Sequence, residues 1–203
     1  VAGRGRPRSF DRDMALRRAM EVFWEQGYEA TSMTDLTTAM GIASPSLYAA
    51  FGSKERLFQE AVALYSTTEG AAMARAYTEV PTARGAVEAV LRENARAYTD
   101  RDRPTGCMIV LAATNCSPGN APVRDHLATW RRSGAEMMAD RLRRGVDEGE
   151  LPATTDTEAV AAFYTTIIHG MSVQARDGAT RTDLDKTVDR AMAAWETVLA
   201  PAP

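Results

Sequence analysis

The stretch SMTDLTTAMGIASPSLYAAF, residues 32–51, decides the fold. It holds two short helical patterns on either side of a tight turn at Met40, Gly41, Ile42 and Ala43. The first opens on Ser32, whose hydroxyl can cap backbone donors, with Asp35 three positions on to return the bond in a capping-box-like pair, and runs through Leu36 to Met40. Gly41 supplies the backbone freedom a sharp turn needs, and Ile42 is placed to fill the space between the helices. The second begins at Ser44 and Pro45, a hydroxyl suited to capping followed by a proline where its missing N–H does no harm, and ends near Phe51 and Gly52. That is helix-turn-helix geometry, in which the second helix lies in the major groove with its N-terminal residues at the base edges. The expected reading surface is Ser44, Pro45, Ser46 and Ala49: hydroxyls serve donors or acceptors, and small apolar groups meet a thymine methyl. Taken as a bare motif, the same residues also fit a structural helix pair that touches no nucleic acid.

Outward from this segment the pattern stays helical. Asp11 can cap a helix whose apolar stripe is Leu16, Ala19, Met20, Phe23 and Trp24, and Gly27 is placed to stop it. Downstream, Ser53 and Glu55 open a helix with Leu57, Phe58, Ala61, Val62 and Tyr65 on its apolar face. Ahead of Asp11, Arg4, Arg6 and Arg8 alternate with Gly and Pro in a basic arm that resembles the core of an AT-hook, suited to a narrow A·T minor groove; a solubilising tail is the plainer alternative.

Residues Gly27 to Ser32 (GYEATS), then Gly41 and Ile42, then Ser46, Leu47 and Tyr48, then Phe51 to Glu55 (FGSKE) resemble the signature of the TetR/AcrR family of transcriptional regulators, densely over about residues 10 to 65. The resemblance implies a two-fold homodimer on a near-palindromic double-stranded operator, usually as a repressor, and a small-molecule inducer bound in a helical C-terminal domain. It implies phosphate contacts by Tyr48 and Lys54; Ser32 and Thr34, at the start of the preceding helix, are further phosphate candidates. Ala50 departs from the pattern, since many relatives carry His there.

Composition limits the other classes. With 203 residues and 45% hydrophobic content the chain can bury a substantial core, and a net charge of −3 confines any DNA contact to a local surface. No apolar run suits a membrane span or signal peptide, so a soluble cytoplasmic protein is expected. Two cysteines, Cys107 and Cys116, are too few for a disulfide framework; a thiol sensor, or a metal site with His126 or His169, is the minority reading, and neither metal nor cofactor is expected. The usual signatures of hydrolases, zinc proteases, nucleotide-binding loops and dinucleotide folds are missing, so an enzyme is not expected. A small-molecule-binding helical protein without DNA activity is the other rival.

After Gly70 the helices lengthen and become richer in Ala. The expectation is an all-α protein with a flexible basic arm over 1–8, a helix-turn-helix domain over 9–69 and a larger ligand-binding and dimerisation domain over 70–203. In the latter, helices are expected over about 86–98, 123–147, 158–176 and 183–199, with a buried apolar stretch at 107–113. The last two carry the broadest stripes and are the expected dimer face, through Phe163, Ile167, Gly170, Met171 and Gln174 on one and Val188, Met192 and Trp195 on the other. A pocket among these helices is expected to be lined by Tyr98, Cys107, Met108, Leu111, Trp130, Met137, Tyr164 and His169.

Overall fold

A computed structural model describes residues 10–200, and Arg4, Arg6 and Arg8 lie outside them. Among the described residues there are eleven α-helices, one 3₁₀ turn at Pro118–Asn120 and no strand. Helix α1 spans Arg12–Ala30, α2 Met33–Met40, α3 Ser44–Phe51 and α4 Lys54–Thr68. Then follow α5 Ala71–Glu79, α6 Ala83–Tyr98, the single turn α7 Met108–Leu111, and the long α8 Ala121–Asp147. Helices α9 Thr157–Arg176, α10 Arg181–Ala193 and α11 Trp195–Leu199 are the last elements of the described residues.

Local chemistry accounts for most boundaries. Asp11 accepts from the N–H groups of Asp13 and Met14 at 3.0 and 3.1 Å, capping α1 as its position predicts. Ser32 and Asp35 form the full reciprocal box, at 3.0 and 2.8 Å. At the other end of α2, Gly41 takes φ 66° and ψ 33°. There its N–H and that of Ile42 bond back to the Thr38 and Thr37 carbonyls, a Schellman closure that needs a left-handed residue. Helix α3 starts differently from the expectation: Ala43 holds the extended cap position, and the Ser46 and Leu47 N–H groups both bond its carbonyl. Ser44 is thus the first helical residue, and no side chain caps this end.

Phe23, Leu36, Leu47, Leu57 and Phe58 are fully buried and join α1 to α4 in one core. Phe58 meets Phe23 and Tyr28 edge-on at 5.0 Å each. Arg12 stacks on Phe51 at 4.3 Å and pairs with Glu60 at 2.6 Å, tying α3 down from both neighbours.

The C-terminal helices pack around α6, which buries Ala86, Val87, Val90, Leu91, Ala95 and Tyr98. Residues 107–113 are largely buried, as their composition predicts, but only 108–111 coil into a turn of helix. Helix α5 was not legible, and none of its residues is fully buried.

One buried charge holds the base of this half. The Arg141 side chain is 1% exposed, donating to the Pro81 carbonyl at 2.9 Å and to Glu150 at 3.2 Å, while Glu150 also accepts from the Ala83 N–H that opens α6. Partial burial pushes the Glu150 carboxyl up, but the Ala83 N–H and Arg141 outweigh it and leave it below its ordinary value. Its contribution is therefore present above the unfolded pKa and lost as pH falls through the folded one. A Glu150→Ala variant strands the guanidinium in the core and is expected to cost about 2–3 kcal/mol, read by urea denaturation at pH 7. The deficit should shrink toward zero as the pH is lowered through the depressed folded-state pKa of Glu150; a loss independent of acid would contradict this account.

Candidate nucleic-acid interface and cavity

Helix α3 turns Leu47 and Phe51 into the core and leaves Ser44, Pro45, Tyr48 and Ala49 exposed on the opposite face, with Ser46 half-exposed beside them. Tyr48 is 50% exposed, far more than an aromatic ring needs if it only packs. Ser32 and Thr34 are exposed at the start of α2, although the Ser32 hydroxyl is committed to its cap. At the start of α4, the Lys54 ammonium rests over the Tyr28 ring at 4.4 Å. Burial lowers its pKa, against the pull of the Glu29 and Asp35 carboxylates. From residue 10 to 69 there are five Lys and Arg against nine Asp and Glu, so any attraction for phosphate depends on where those few cations sit.

The end of α1 is joined to the C-terminal helices by a set of directed bonds. Gly27, at φ 78° and ψ 169°, kinks the chain instead of ending the helix, and swings the Tyr28 N–H to the Ala112 carbonyl at 2.7 Å. A Cβ on Gly27 would stand 3.2 Å from that same carbonyl oxygen, so glycine serves both the positive φ and the close approach. Arg176, in the last turn of α9, reaches the carbonyls of Glu25 at 2.7 Å, Trp24 at 2.9 Å and Thr105 at 3.0 Å. The Trp24 indole N–H donates to the Gly106 carbonyl at 3.1 Å, and the next residue, Cys107, donates its N–H to Ser172 Oγ at 2.8 Å. Glu29 accepts from Asn120 at 2.7 Å, and hydrogen bonding from Ser117, then Asn120, holds its carboxyl below the ordinary range.

Above this joint lies a cavity of about 220 Å³ among α4, α5, α6, α7, α8 and α9. Five of the eight residues expected to line it do so: Tyr98, Cys107, Trp130, Met137 and His169. Met108, Leu111 and Tyr164 lie elsewhere. Met108 is fully buried in the core, and Leu111 points back toward Gly106. Because α7 is one turn, its successive side chains fan out, so that Ile109 and Val110 face the cavity instead. Tyr164 lies against Trp195 at 5.6 Å and donates to the Ala191 carbonyl at 3.2 Å; burial pushes its phenol up to about 12.

Tyr65, Tyr77, Asn94 and Arg131 line the cavity unforeseen. Asn94 left a signal, being the one amide on the otherwise apolar face of α6. His169 is pushed toward its neutral form by burial and by Arg131. His126 is also lowered by burial and accepts the Trp130 indole N–H at 3.2 Å. Cys107 and Cys116 are free thiols, and among the described residues no three His, Cys, Asp or Glu side chains group as a metal site. No described helix is long and apolar enough to cross a membrane.

The dimer candidates divide between two faces. Phe163, at 40% exposed, Gly170 and Gln174 lie on the outer side of α9 with half-buried Ile167 and exposed Val173. A Cβ on Gly170 would meet open space. Met171, Val188, Met192 and Trp195 are instead buried in the chain's own core. Each stripe was real, but on α10 and α11 it closes the monomer, because α10 packs directly on α6 and α9 and Trp195 of α11 lies against Tyr164 of α9.

Comparison with known proteins agrees with this arrangement. Residues 15–61 match the family described as bacterial regulatory proteins, tetR family, and residues 83–195 match the tetracyclin repressor-like C-terminal domain. The HTH-type transcriptional repressor ComR of Escherichia coli (strain K12) is 34% identical over 193 residues, covering 95% of this chain and 92% of ComR. BdcR, an HTH-type transcriptional repressor of the same strain, is 30% identical over 195 residues, covering 96% and 94%. A solved structure of the TetR family transcriptional regulator CifR, a cysteine mutant complexed with 26bp double-strand operator DNA, superposes with a TM-score of 0.92 at 47% identity, covering 94% of this chain and 100% of that one. An exposed second helix on a helix-turn-helix, two matched domains and relatives along nearly the whole chain lead to one assignment: this chain belongs to the TetR family and is a DNA-binding transcriptional regulator, not an enzyme.

Proposed function

We propose that the protein is a cytoplasmic repressor that binds a near-palindromic operator as a homodimer and is released when a small molecule fills the cavity. The division of labour runs near residue 70, with DNA contact before it and ligand and dimer contact after it. The observation that carries the reading is the outward face of α3: Leu47 and Phe51 anchor it, and Ser44, Pro45, Ser46, Tyr48 and Ala49 are left to meet a groove. One such helix offers few contacts, which favours two copies on two half-sites, and the exposed apolar side of α9 around Phe163 and Val173 is the surface for pairing them. The relatives named as repressors support the sign of regulation. A mobility-shift titration with the DNA upstream of the protein's own gene tests the whole reading, together with sedimentation at micromolar concentration. A monomer, or no shift at moderate salt, defeats it.

Salt dependence tests the individual contacts. A Lys54→Met variant keeps the stem over Tyr28 but removes the charge, and it should reduce the slope of log affinity against log salt by about 1 per subunit, uniformly across operator sequences. Deleting residues 1–8, with Arg4, Arg6 and Arg8, should flatten the slope further and weaken binding most on A·T-rich flanks. A slope unchanged by either alteration removes that contact from the reading.

A further inference from the structure

The regulator reading leaves the ligand's chemistry open, and the cavity walls speak to it. Asn94 is 1% exposed on the inner face of α6. Its Nδ2 donates to the Val90 carbonyl one turn earlier at 2.8 Å, which fixes the amide orientation and leaves Oδ1 without a partner. A buried carbonyl oxygen in that state gains from any bound group that donates a hydrogen.

The charge in the cavity is one-sided. No Asp or Glu lines it, and Arg131 is its ionised side chain, held in place by a 2.8 Å bond from Nη1 to the Ile109 carbonyl. His169 is kept toward its neutral form by burial and by Arg131 itself, and burial holds the Tyr65, Tyr77 and Tyr98 phenols in their neutral forms. A cationic ligand would meet Arg131 with no counter-charge, whereas a single negative charge would be matched. Tyr77, Tyr98, Trp130, Met73 and Met137 add aromatic and thioether surface, suited to the faces and edges of a planar ring, among aliphatic side chains and a few hydroxyls. At about 220 Å³ the space is below the roughly 300–1,000 Å³ of drug-sized sites, so the ring is a single one.

Resting on the regulator reading and deepening it, we propose that the cavity takes a small hydroxylated aromatic acid, with its carboxylate against Arg131 and its hydroxyl donating to Asn94 Oδ1. Four probes separate the parts of this assignment: 4-hydroxybenzoate, benzoate, 4-hydroxybenzamide and 4-hydroxybenzylamine. Binding to the full-length protein is read by calorimetry and by quenching of tryptophan emission, since Trp130 lines the cavity.

The expected order places 4-hydroxybenzoate tightest, benzoate and the amide each about tenfold weaker, and the amine without saturable binding. Arg131→Gln should erase the preference for acid over amide, and Asn94→Leu the preference for the hydroxylated over the plain acid. The assignment is overturned if the amide or amine matches the acid, if either variant leaves the order unchanged, or if neither acid binds saturably at millimolar concentration. The probe series on the unaltered protein decides the matter even if a variant fails to fold. Operator binding without ligand is measured separately: retention of the duplex with no response to any acid sinks the ligand class alone, and failure to hold the duplex sinks the regulator reading.

Discussion

An Ala49→Glu variant is expected to lose operator affinity by about a hundredfold or more while melting at the temperature of the unaltered protein, because like charges brought together in an interface cost several kcal/mol. Ala49 is exposed on the face of α3 opposite Leu47 and Phe51, so a longer polar side chain there displaces nothing in the core. Stability should change by no more than about 0.5 kcal/mol, as at other surface positions. Two copies of the carboxylate would face the phosphates of one duplex, and the penalty should be largest at low salt, where screening is weakest. Fluorescence anisotropy against a salt series, beside a thermal melt, reads both quantities. Full affinity in the variant would mean that α3 does not lie in the groove.

The second large effect belongs to Arg176. Its guanidinium satisfies three carbonyls at once, Trp24, Glu25 and Thr105, at the place where Gly27 has turned the Tyr28 N–H away from Trp24 toward Ala112. Removing it leaves α1's last carbonyls without their charged donor, at an expected cost of about 2–3 kcal/mol. For a chain of this size that lowers the melting temperature by roughly 4–12 °C.

The same bonds give Arg176 a part in signalling. It stands two helical turns beyond His169 on α9, so the helix that walls the cavity also grips the end of α1. Cys107, which also lines the cavity, adjoins Gly106, which accepts the Trp24 indole N–H. Ligand-driven release needs an element that both sites bias, with a coupling of typically 1–3 kcal/mol. Arg176→Ala should therefore weaken the release of operator by any compound that releases the unaltered protein. Arg176→Lys, with a point charge in place of a fork of donors, should recover only part of either effect. Unaltered melting and unaltered release together would show that the grip has no energetic role.

What the sequence by itself determined was local. The capping box of Ser32 and Asp35, the left-handed Gly41, and the stripes of α1, α4 and α9 all depend on chemistry within a few residues, and each was legible before any coordinates. Its limits were also local: Ser44 looked like a cap because a hydroxyl before proline so often is one, and only the path of the turn shows that Ala43 takes that place. Tertiary structure alone decided which stripe faces which neighbour. The α10 and α11 stripes, with Val188, Met192 and Trp195, read the same as that of α9 but are spent inside the monomer. One-turn α7 has no period from which to tell Met108 from Ile109. The Arg176 junction spans about 150 residues of chain, a separation over which sequence spacing carries no geometric information. Periodicity reports that a face is apolar; what covers it depends on the packing of distant segments, and that is where this protein places its cavity and its joint.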